Sequence, residues 1–270
     1  MNLLFLGDIV GKPGRDVVAA ELLGLRTRLK LDLVIANGEN AAGGFGLTRA
    51  IAQEFFAMGI DVITTGNHWA DQKEIYTLVE EDDRVIRPRN YPKGTPGRGA
   101  SLVKTASGAH VLVINVLGRV FMDALDDPFA AVDGELNACV LGEGADAIVV
   151  DMHAEATSEK MAMGHFCDGR ASLVVGSHSH VPTADAQILP GGTAFQADAG
   201  ACADYDSVIG MDKTEPLQRF TRKLPTQRYT PALGPATLCG VFVQTGTNGL
   251  AKRIDPVRVG GRLKPALPEL

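Results

Sequence analysis

The sequence has few of the features that stabilise small secreted proteins or anchor a chain in a membrane. Its four cysteines are far apart and form no Cys-x-x-Cys pair, so no disulfide framework is expected. The apolar run at the amino end is too short to span a bilayer and is followed at once by Asp8, which is typical of a strand and not of a leader peptide. We therefore expect a cytoplasmic protein with reduced thiols and no membrane partner. The cysteines are Cys139, Cys167, Cys202 and Cys239.

Positive charge and aromatic residues are also scarce. The formal net charge is -6, and no run of Lys and Arg occurs. A surface that wraps duplex nucleic acid needs such a run or a basic patch, so duplex nucleic acid is not expected as a partner, whereas single nucleotides and short ends remain open. Aromatic residues make up 6% of the chain and glycine occurs 31 times, a balance typical of strands that end in tight turns close to a ligand.

What the chain does contain is a repeated unit, in which an apolar run ends in polar residues and a helix follows. Residues 3–6 end at Asp8 before a helix predicted over residues 15–30, and residues 33–36 end at Glu39 and Asn40 before a helix that Thr48 would cap. A hairpin is predicted at residues 101–116 and an antiparallel pair at residues 236–259. This pattern predicts an α/β fold whose ligands gather beyond the carboxyl ends of the strands. The other apolar runs of this kind are residues 61–65, 147–150 and 173–176.

The last of these runs leads to His178 and His180, which are two residues apart. If the segment is extended, alternate side chains point the same way, and the two imidazoles converge on one volume beyond the sheet edge. Gly176 before them indicates a tight turn at a site. Imidazole is the commonest metal ligand, so this segment predicts a metal-binding loop more strongly than a pair of buried structural histidines.

The strand ends together offer carboxylates, amide oxygens and imidazoles but no thiolate. Such donors suit Fe, Mn, Zn or Ni better than a cysteine-rich structural zinc site. They are too many for one ion, and two neighbouring ions are the usual arrangement for attack on a phosphoryl centre. The donors are Asp8, Glu39, Asn40, Asn67, His68, His153, His178 and His180.

In this order, the strand-end motifs resemble those of the calcineurin-like metallophosphoesterases. The sequence is more similar still to the bacterial YmdB-like branch, over residues 8–15, 37–46, 67–69 and 206–211. The resemblance covers nearly the whole chain and implies a single metallophosphoesterase domain over residues 1–270. The implied fold is a sandwich of two mixed β-sheets flanked by helices. The implied activity is that of a di-metal phosphodiesterase acting on small phosphodiesters, notably 2′,3′-cyclic nucleotides.

The resemblance also implies roles for individual residues. Two divalent or mixed-valence transition-metal ions per chain are expected, with iron ahead of manganese or zinc. Where the wider family has Asp-x-His, this chain has Asp8-Ile9-Val10, so Asn40 is expected to replace the missing imidazole. The first ion is assigned to Asp8, Asn40 and His180, the second to Asn67, His153 and His178, and Glu39 lies between them.

His68 is expected to be a general acid rather than a ligand. In this mechanism a hydroxide that bridges the two ions attacks phosphorus, and His68 protonates the leaving oxygen. The family's acid after the histidine is Trp69 here, so Asp71 is expected to orient His68 instead. Phe45 is expected either to stack on a base or to pack against Leu47.

Other interpretations remain open at this stage. The alternatives are a regulatory protein that senses a nucleotide or a metal with incidental turnover, or a phosphatase or nuclease of the same fold.

A homo-oligomer, a dimer or tetramer, is expected. The loop at residues 203–206 is expected to border the substrate. Three cations are candidate phosphate partners, although surface charge is the favoured interpretation for Lys12 and Arg49. These cations are Lys12, Arg15 and Arg49.

Overall fold

The structure is a computed structural model that describes residues 1–269. Within that range the chain forms two β-sheets stacked face to face, with helices on the outer face of each. The strands are β1 (Asn2–Leu6), β2 (Asp8–Ile9), β3 (Leu33–Asn37), β4 (Val62–Thr64), β5 (Ala100–Lys104), β6 (His110–Leu117), β7 (Ala147–His153), β8 (Leu173–Ser177), β9 (Gln187–Ile188), β10 (Ala194–Gln196), β11 (Ala201–Asp204), β12 (Ala236–Thr245) and β13 (Ala251–Gly260). The helices are α1 (Gly11–Arg28), α2 (Arg49–Met58), α3 (Ile75–Glu81), α4 (Pro128–Ala138), α5 (Thr157–Phe166) and α6 (Thr214–Arg222).

Both sheets are mixed. The first has the order β2-β11-β12-β1-β3-β4, with β13 paired along the other edge of β12. Its central strand β1 is parallel to β3 and antiparallel to β12. The second has the order β5-β6-β7-β8-β10-β9, in which β6, β7, β8 and β10 are parallel and the edge strands β5 and β9 are antiparallel. The predicted α/β sandwich of two mixed sheets flanked by helices is therefore confirmed.

Each sheet is apolar on both faces because one face packs on the other sheet and the opposite face packs on helices. Leu3 and Phe5 of β1 lie in the core between the sheets, whereas Leu4 and Leu6 lie in the core shared with α1 and α2. A third core lies between the second sheet and helices α4 and α5. Fully burying one such Leu or Phe stabilises the fold by roughly 1.5–3 kcal/mol. The apolar strand runs follow from this arrangement.

Local sequence signals predicted some helices and strands correctly but missed or misplaced others. Thr48 caps α2 as expected, because its side chain accepts a hydrogen bond from the backbone N–H of Ile51. Helix α1 begins at Gly11, earlier than expected, and so includes Pro13 in its first turn. Proline is tolerated there because backbone N–H groups of the first turn have no partner within the helix, so the missing N–H costs nothing. Two helices and three short strands were missed, namely α4, α6, β2, β9 and β11. A signal for α4 was present, with Asp127 capping a helix that begins at Pro128.

The described residues contain neither a disulfide bond nor a membrane-spanning helix. All four cysteines are free thiols in the structure. Among the helices of residues 1–269, none combines the length and the apolar character needed to cross a bilayer.

Candidate metal centre

The polar residues predicted from the strand ends come together at one edge of the sandwich. They lie where β1, β3, β4, β7 and β8 end, and several of them line a cavity of ≈ 390 Å³. His153 is the last residue of β7 rather than a residue beyond it. The predicted residues that line the cavity are Glu39, Asn40, His68, His178 and His180.

His153 is the centre of one half of the cluster. Its imidazole is fully buried, and its Nε2 lies 3.0 Å from Glu39 Oε1 and 3.0 Å from Asn67 Oδ1. This close packing depends on Gly66, because a Cβ at that position would overlap the His153 ring. Two ligands at right angles on an ion with bonds of about 2.1 Å are about 3 Å apart, so these separations suit a shared cation.

Asp8, Asn40 and His180 form the other half. Asp8 Oδ1 lies 3.7 Å from His180 Nε2 and 4.0 Å from His153 Nδ1. His180 Nδ1 donates to the carbonyl oxygen of Ile209 at 2.7 Å, so in the neutral ring Nε2 keeps its lone pair on the side of Asp8. Asp8 Oδ1 and Asn40 Oδ1 are buried and have no hydrogen-bond donor. Buried acceptors of this kind are costly unless a donor or a cation satisfies them.

The turn that carries His178 and His180 differs from the prediction. Strand β8 ends at Ser177, and both histidines have a left-handed backbone, with φ of 92° and 63°, so the expected extended alternation is wrong. They reach the same site by a strained turn, in which the N–H of His178 donates to Asp8 Oδ2 at 3.1 Å. Gly176 lies within β8 and not in a turn.

His178 completes a group of three possible ligands. Glu39, His153 and His178 each offer an atom within 4.8 Å of the others. The rings of His153 and His178 have centroids 4.8 Å apart. His178 Nε2 also lies 3.3 Å from Oε2 of Glu155, an exposed acid that the sequence did not single out.

The electrostatics of the cluster favour a cation. Burial alone would lower the pKa of His153, but the carboxylates of Glu39 and Asp8 raise it to about 9. Burial alone would raise the pKa of Glu39, but His153 and the backbone N–H of His68 lower it to about 2. Burial, with the charge of His153 added, lowers the pKa of His178 to about 3. Burial raises the pKa of Asp8. The protein therefore places ionised Glu39 beside neutral His178, a donor set suited to a divalent metal.

A buried network behind His153 was missed. Ser177 Oγ donates to Asp151 Oδ1 at 2.6 Å and so accepts from His153 Nδ1 at 2.8 Å, which leaves Nε2 facing Glu39. Thr64 also donates to Asp151, at 2.6 Å, and burial raises the pKa of Asp151 to about 7. The signal was available, because Asp151 and His153 alternate on one strand and so share a face. Such partners fix the ring and its tautomer.

His68 lies beside the ligand cluster and faces a different direction from Asn67. Its Nδ1 is 2.9 Å from Asp71 Oδ2, as predicted, and its backbone N–H donates to Glu39 Oε2 at 2.8 Å. Its ring makes an edge contact with Phe45 at 5.1 Å between centroids. Phe45 packs against the cluster of Val10 and Met211 rather than that of Leu47.

The far wall of the cavity is apolar and, apart from Phe45, comes from segments that were not predicted to line it. The predicted border at residues 203–206 is wrong, since the lining comes from the next turn and from α6 and the segment after it. The Tyr205 hydroxyl instead lies within hydrogen-bonding distance of two backbone carbonyl oxygens, those of His180 at 3.1 Å and Ala201 at 3.0 Å. The apolar lining residues are Phe45, Val208, Ile209, Met211, Pro216, Phe220 and Tyr229.

The three cations considered as phosphate partners bind elsewhere. Arg15 donates to the carbonyl oxygen of Ala41 at 2.6 Å, Lys12 pairs with Asp16, and Arg49 pairs with Glu81 at 2.8 Å. None of the three lines the cavity. The interpretation of Lys12 and Arg49 as surface charges is therefore confirmed, and Arg15 lies outside the cavity lining.

Comparisons with known proteins agree with the fold and show the family. The family model of YmdB-like proteins matches residues 4–257. A 2′,3′-cyclic-nucleotide 2′-phosphodiesterase of Bacillus subtilis is 48% identical over 243 residues, which are 90% of this chain and 90% of that protein. A putative phosphatase/phosphodiesterase of Mycoplasma genitalium is 35% identical over 96% of this chain and 93% of its own length.

Two solved structures are similar over almost the whole chain. A hypothetical protein of Thermus thermophilus superposes with a TM-score of 0.90 at 44% identity, covering 97% of this chain and 100% of that one. A structure described as a novel phosphatase, from Mycoplasma pneumoniae, gives 0.89 at 29% identity, covering 96% and 93%. The resemblance drawn from the strand-end motifs is confirmed, and the chain belongs to the family of YmdB-like proteins.

Proposed function

We propose that this protein is a metal-dependent phosphodiesterase that hydrolyses small phosphodiesters, with 2′,3′-cyclic nucleotides as the leading substrate class. The observation that carries the proposal is the convergence of oxygen and nitrogen acceptors in and beside one cavity, where the buried atoms Asp8 Oδ1 and Asn40 Oδ1 lack any donor. The activity named for the Bacillus subtilis relative supports it.

The residues would hold two ions in overlapping groups. Asp8, Asn40 and His180 would bind one, and Asn67, His153 and His178 the other, with Glu39 shared. Iron is the first candidate, followed by manganese and zinc, because the donors are oxygen and imidazole nitrogen without thiolate. Ions in such a centre supply activation of water and neutralisation of the charge that develops on phosphorus.

The chain's own residues contribute the proton and the binding surface. His68 stands at the edge of the ligand cluster, where Asp71 accepts from Nδ1 and supports the charged ring, and Nε2 can donate to the leaving oxygen. The apolar wall opposite excludes water from one side of the substrate. Asp151 and Ser177 hold the His153 ring in place.

The lining favours diesters over monoesters, which gives the first prediction. Glu39 lines the cavity, no Lys or Arg does, and a monoester would bring an additional negative charge. Turnover of 2′,3′-cyclic AMP and bis(p-nitrophenyl) phosphate should exceed that of p-nitrophenyl phosphate by about tenfold or more, the effect of about 1.4 kcal/mol in the barrier. Initial rates under matched metal loading, with 3′,5′-cyclic AMP and RNA in the same panel, measure this.

The same panel decides between the proposed function and its alternatives. Faster turnover of the monoester would favour a phosphatase, and cleavage of RNA ahead of cyclic nucleotides would favour a nuclease. Tight binding of a nucleotide without turnover would favour a sensor. Each of these results would contradict the proposal.

Phe45 gives the second prediction, because it lines the cavity next to His68 and is only partly buried. Stacking of a base on an aromatic ring contributes roughly 1–3 kcal/mol. Phe45→Ala should therefore raise KM for 2′,3′-cyclic AMP by about 5- to 150-fold. KM for ribose 2′,3′-cyclic phosphate, which has no base, should change little. Equal increases for both substrates would mean that Phe45 supports the loop and does not bind the base.

A further inference from the structure

A lysine outside the ligand cluster is completely buried. Lys160 lies on α5 with 0% of its surface exposed, and its Nζ is 2.7 Å from Oδ2 of Asp198, which is also buried. A buried charge is expensive unless it is paired, and apolar residues of similar size would often stabilise the fold as well. Stability alone therefore does not explain the presence of this buried ion pair.

The stem of Lys160 crosses β8 at Gly176. A Cβ at Gly176 would lie 1.8 Å from the carbonyl oxygen of Ala197 and 2.7 Å from Lys160 Cδ, so the glycine allows the close approach of the backbone at residue 197 and also leaves room for the lysine stem. This explains the glycine, which does not form the turn that the sequence indicated. The ammonium group is thereby brought from the helix layer to the carboxyl end of β8, where the turn with the two histidines begins.

Asp198 connects the lysine to that turn. Besides Lys160, its Oδ2 accepts from the backbone N–H of Ser179 at 3.1 Å and from Ser179 Oγ at 2.7 Å. Its Oδ1 accepts from the N–H of Gly200 at 2.8 Å. Ser179 is the residue between His178 and His180, which both have a positive φ. Residues with side chains persist in that conformation only when surrounding contacts hold them there.

We propose that Lys160 and Asp198 are positioning residues, which act through Ser179 to hold the strained turn so that His178 and His180 both face the metal centre. The inference rests on the proposed metal-dependent function. With Lys160 removed, Asp198 would be a buried anion without its cation and would have to move, protonate or take up water. The turn would then relax toward an ordinary backbone conformation and carry one or both imidazoles away.

The test compares metal binding with stability. Lys160→Met keeps the length of the stem and removes the charge. Titration of the metal-free protein with Mn²⁺ by calorimetry should show affinity reduced by about 10- to 100-fold, the usual effect of losing an outer-shell partner. Activity should return at saturating Mn²⁺, because the ligands themselves are intact. The matched control is Met163→Ala on the same helix, which is buried and should lower the melting temperature without changing Mn²⁺ affinity.

Two further variants keep the test decisive. Ser179→Ala removes one hydrogen bond to Asp198 and should weaken Mn²⁺ binding in the same direction by a smaller factor, whether or not Lys160→Met folds. Adding Asp198→Asn to Lys160→Met removes the unpaired charge and should restore part of the affinity. Unchanged Mn²⁺ affinity in Lys160→Met and Ser179→Ala, with a lower melting temperature, would overturn the inference and leave the proposed function intact. Failure of the wild-type protein to bind Mn²⁺, iron or zinc would overturn the proposed function, and this inference with it.

Discussion

Replacing His153 with alanine is expected to lower kcat/KM for a cyclic nucleotide by about 10³-fold or more and to remove one of about two bound ions per chain. His153 is fully buried, and its Nε2 is 3.0 Å from both Glu39 Oε1 and Asn67 Oδ1. His178, whose ring centroid is 4.8 Å away, cannot take its place, because it is itself a proposed ligand of the same ion. Losing an ion removes several kcal/mol of charge stabilisation in the transition state.

Metal content and folding have to be measured on the same His153→Ala samples. Elemental analysis should show the lost ion, and the melting temperature should fall to about that of chelated wild-type protein, since the cores above and below the sheets are untouched. His165→Ala is the matched control, because it deletes an exposed imidazole from α5. Full activity with both ions retained in His153→Ala would remove this residue from the ligand set, and the metal assignment would have to be redrawn.

The sheets could be predicted from the sequence because their signal is local. Strands that are apolar on both faces, followed by polar residues, describe parallel strands covered on both sides, and the carboxyl ends of such strands meet. That reasoning selected Asp8, Glu39, Asn67 and His153, and the structure brings them together. The positions of these residues depend on strand order and not on loop conformation.

The remainder of the cavity could not be predicted because it depends on contacts between segments far apart in the chain. The apolar wall comes largely from α6 and from residues 208–211. The family resemblance covers residues 206–211, but no periodicity or turn signal in either segment directs its apolar side chains toward the strand ends. The turn in which His178 and His180 have a positive φ donates backbone hydrogen bonds to Asp8 and Asp198, each distant in sequence. An argument from short-range periodicity requires a regular backbone, so it predicted an extended segment where the structure has a turn.

The imidazole of His68 makes its contacts with residues outside the proposed set of metal ligands. Asn67 Oδ1 is directed at His153 Nε2, while the neighbouring His68 ring is directed at Asp71 and Phe45. The contact between His68 and Glu39 uses the backbone N–H, which any residue at this position would keep. Removal of the imidazole therefore leaves the proposed ligands in place.

His68→Ala is accordingly expected to retain wild-type metal content and to lower kcat for 2′,3′-cyclic AMP by roughly 10²–10⁴-fold, the usual contribution of a positioned acid. The leaving group provides the test, because a ribose alkoxide needs a proton whereas nitrophenolate departs without one. The loss on bis(p-nitrophenyl) phosphate should thus be far smaller. Asp71→Asn, which keeps His68 but removes its carboxylate partner, should give an intermediate loss with the same dependence on leaving group. Equal losses on both substrates, together with a missing ion, would instead make His68 a metal ligand, and the proton would have to come from another group.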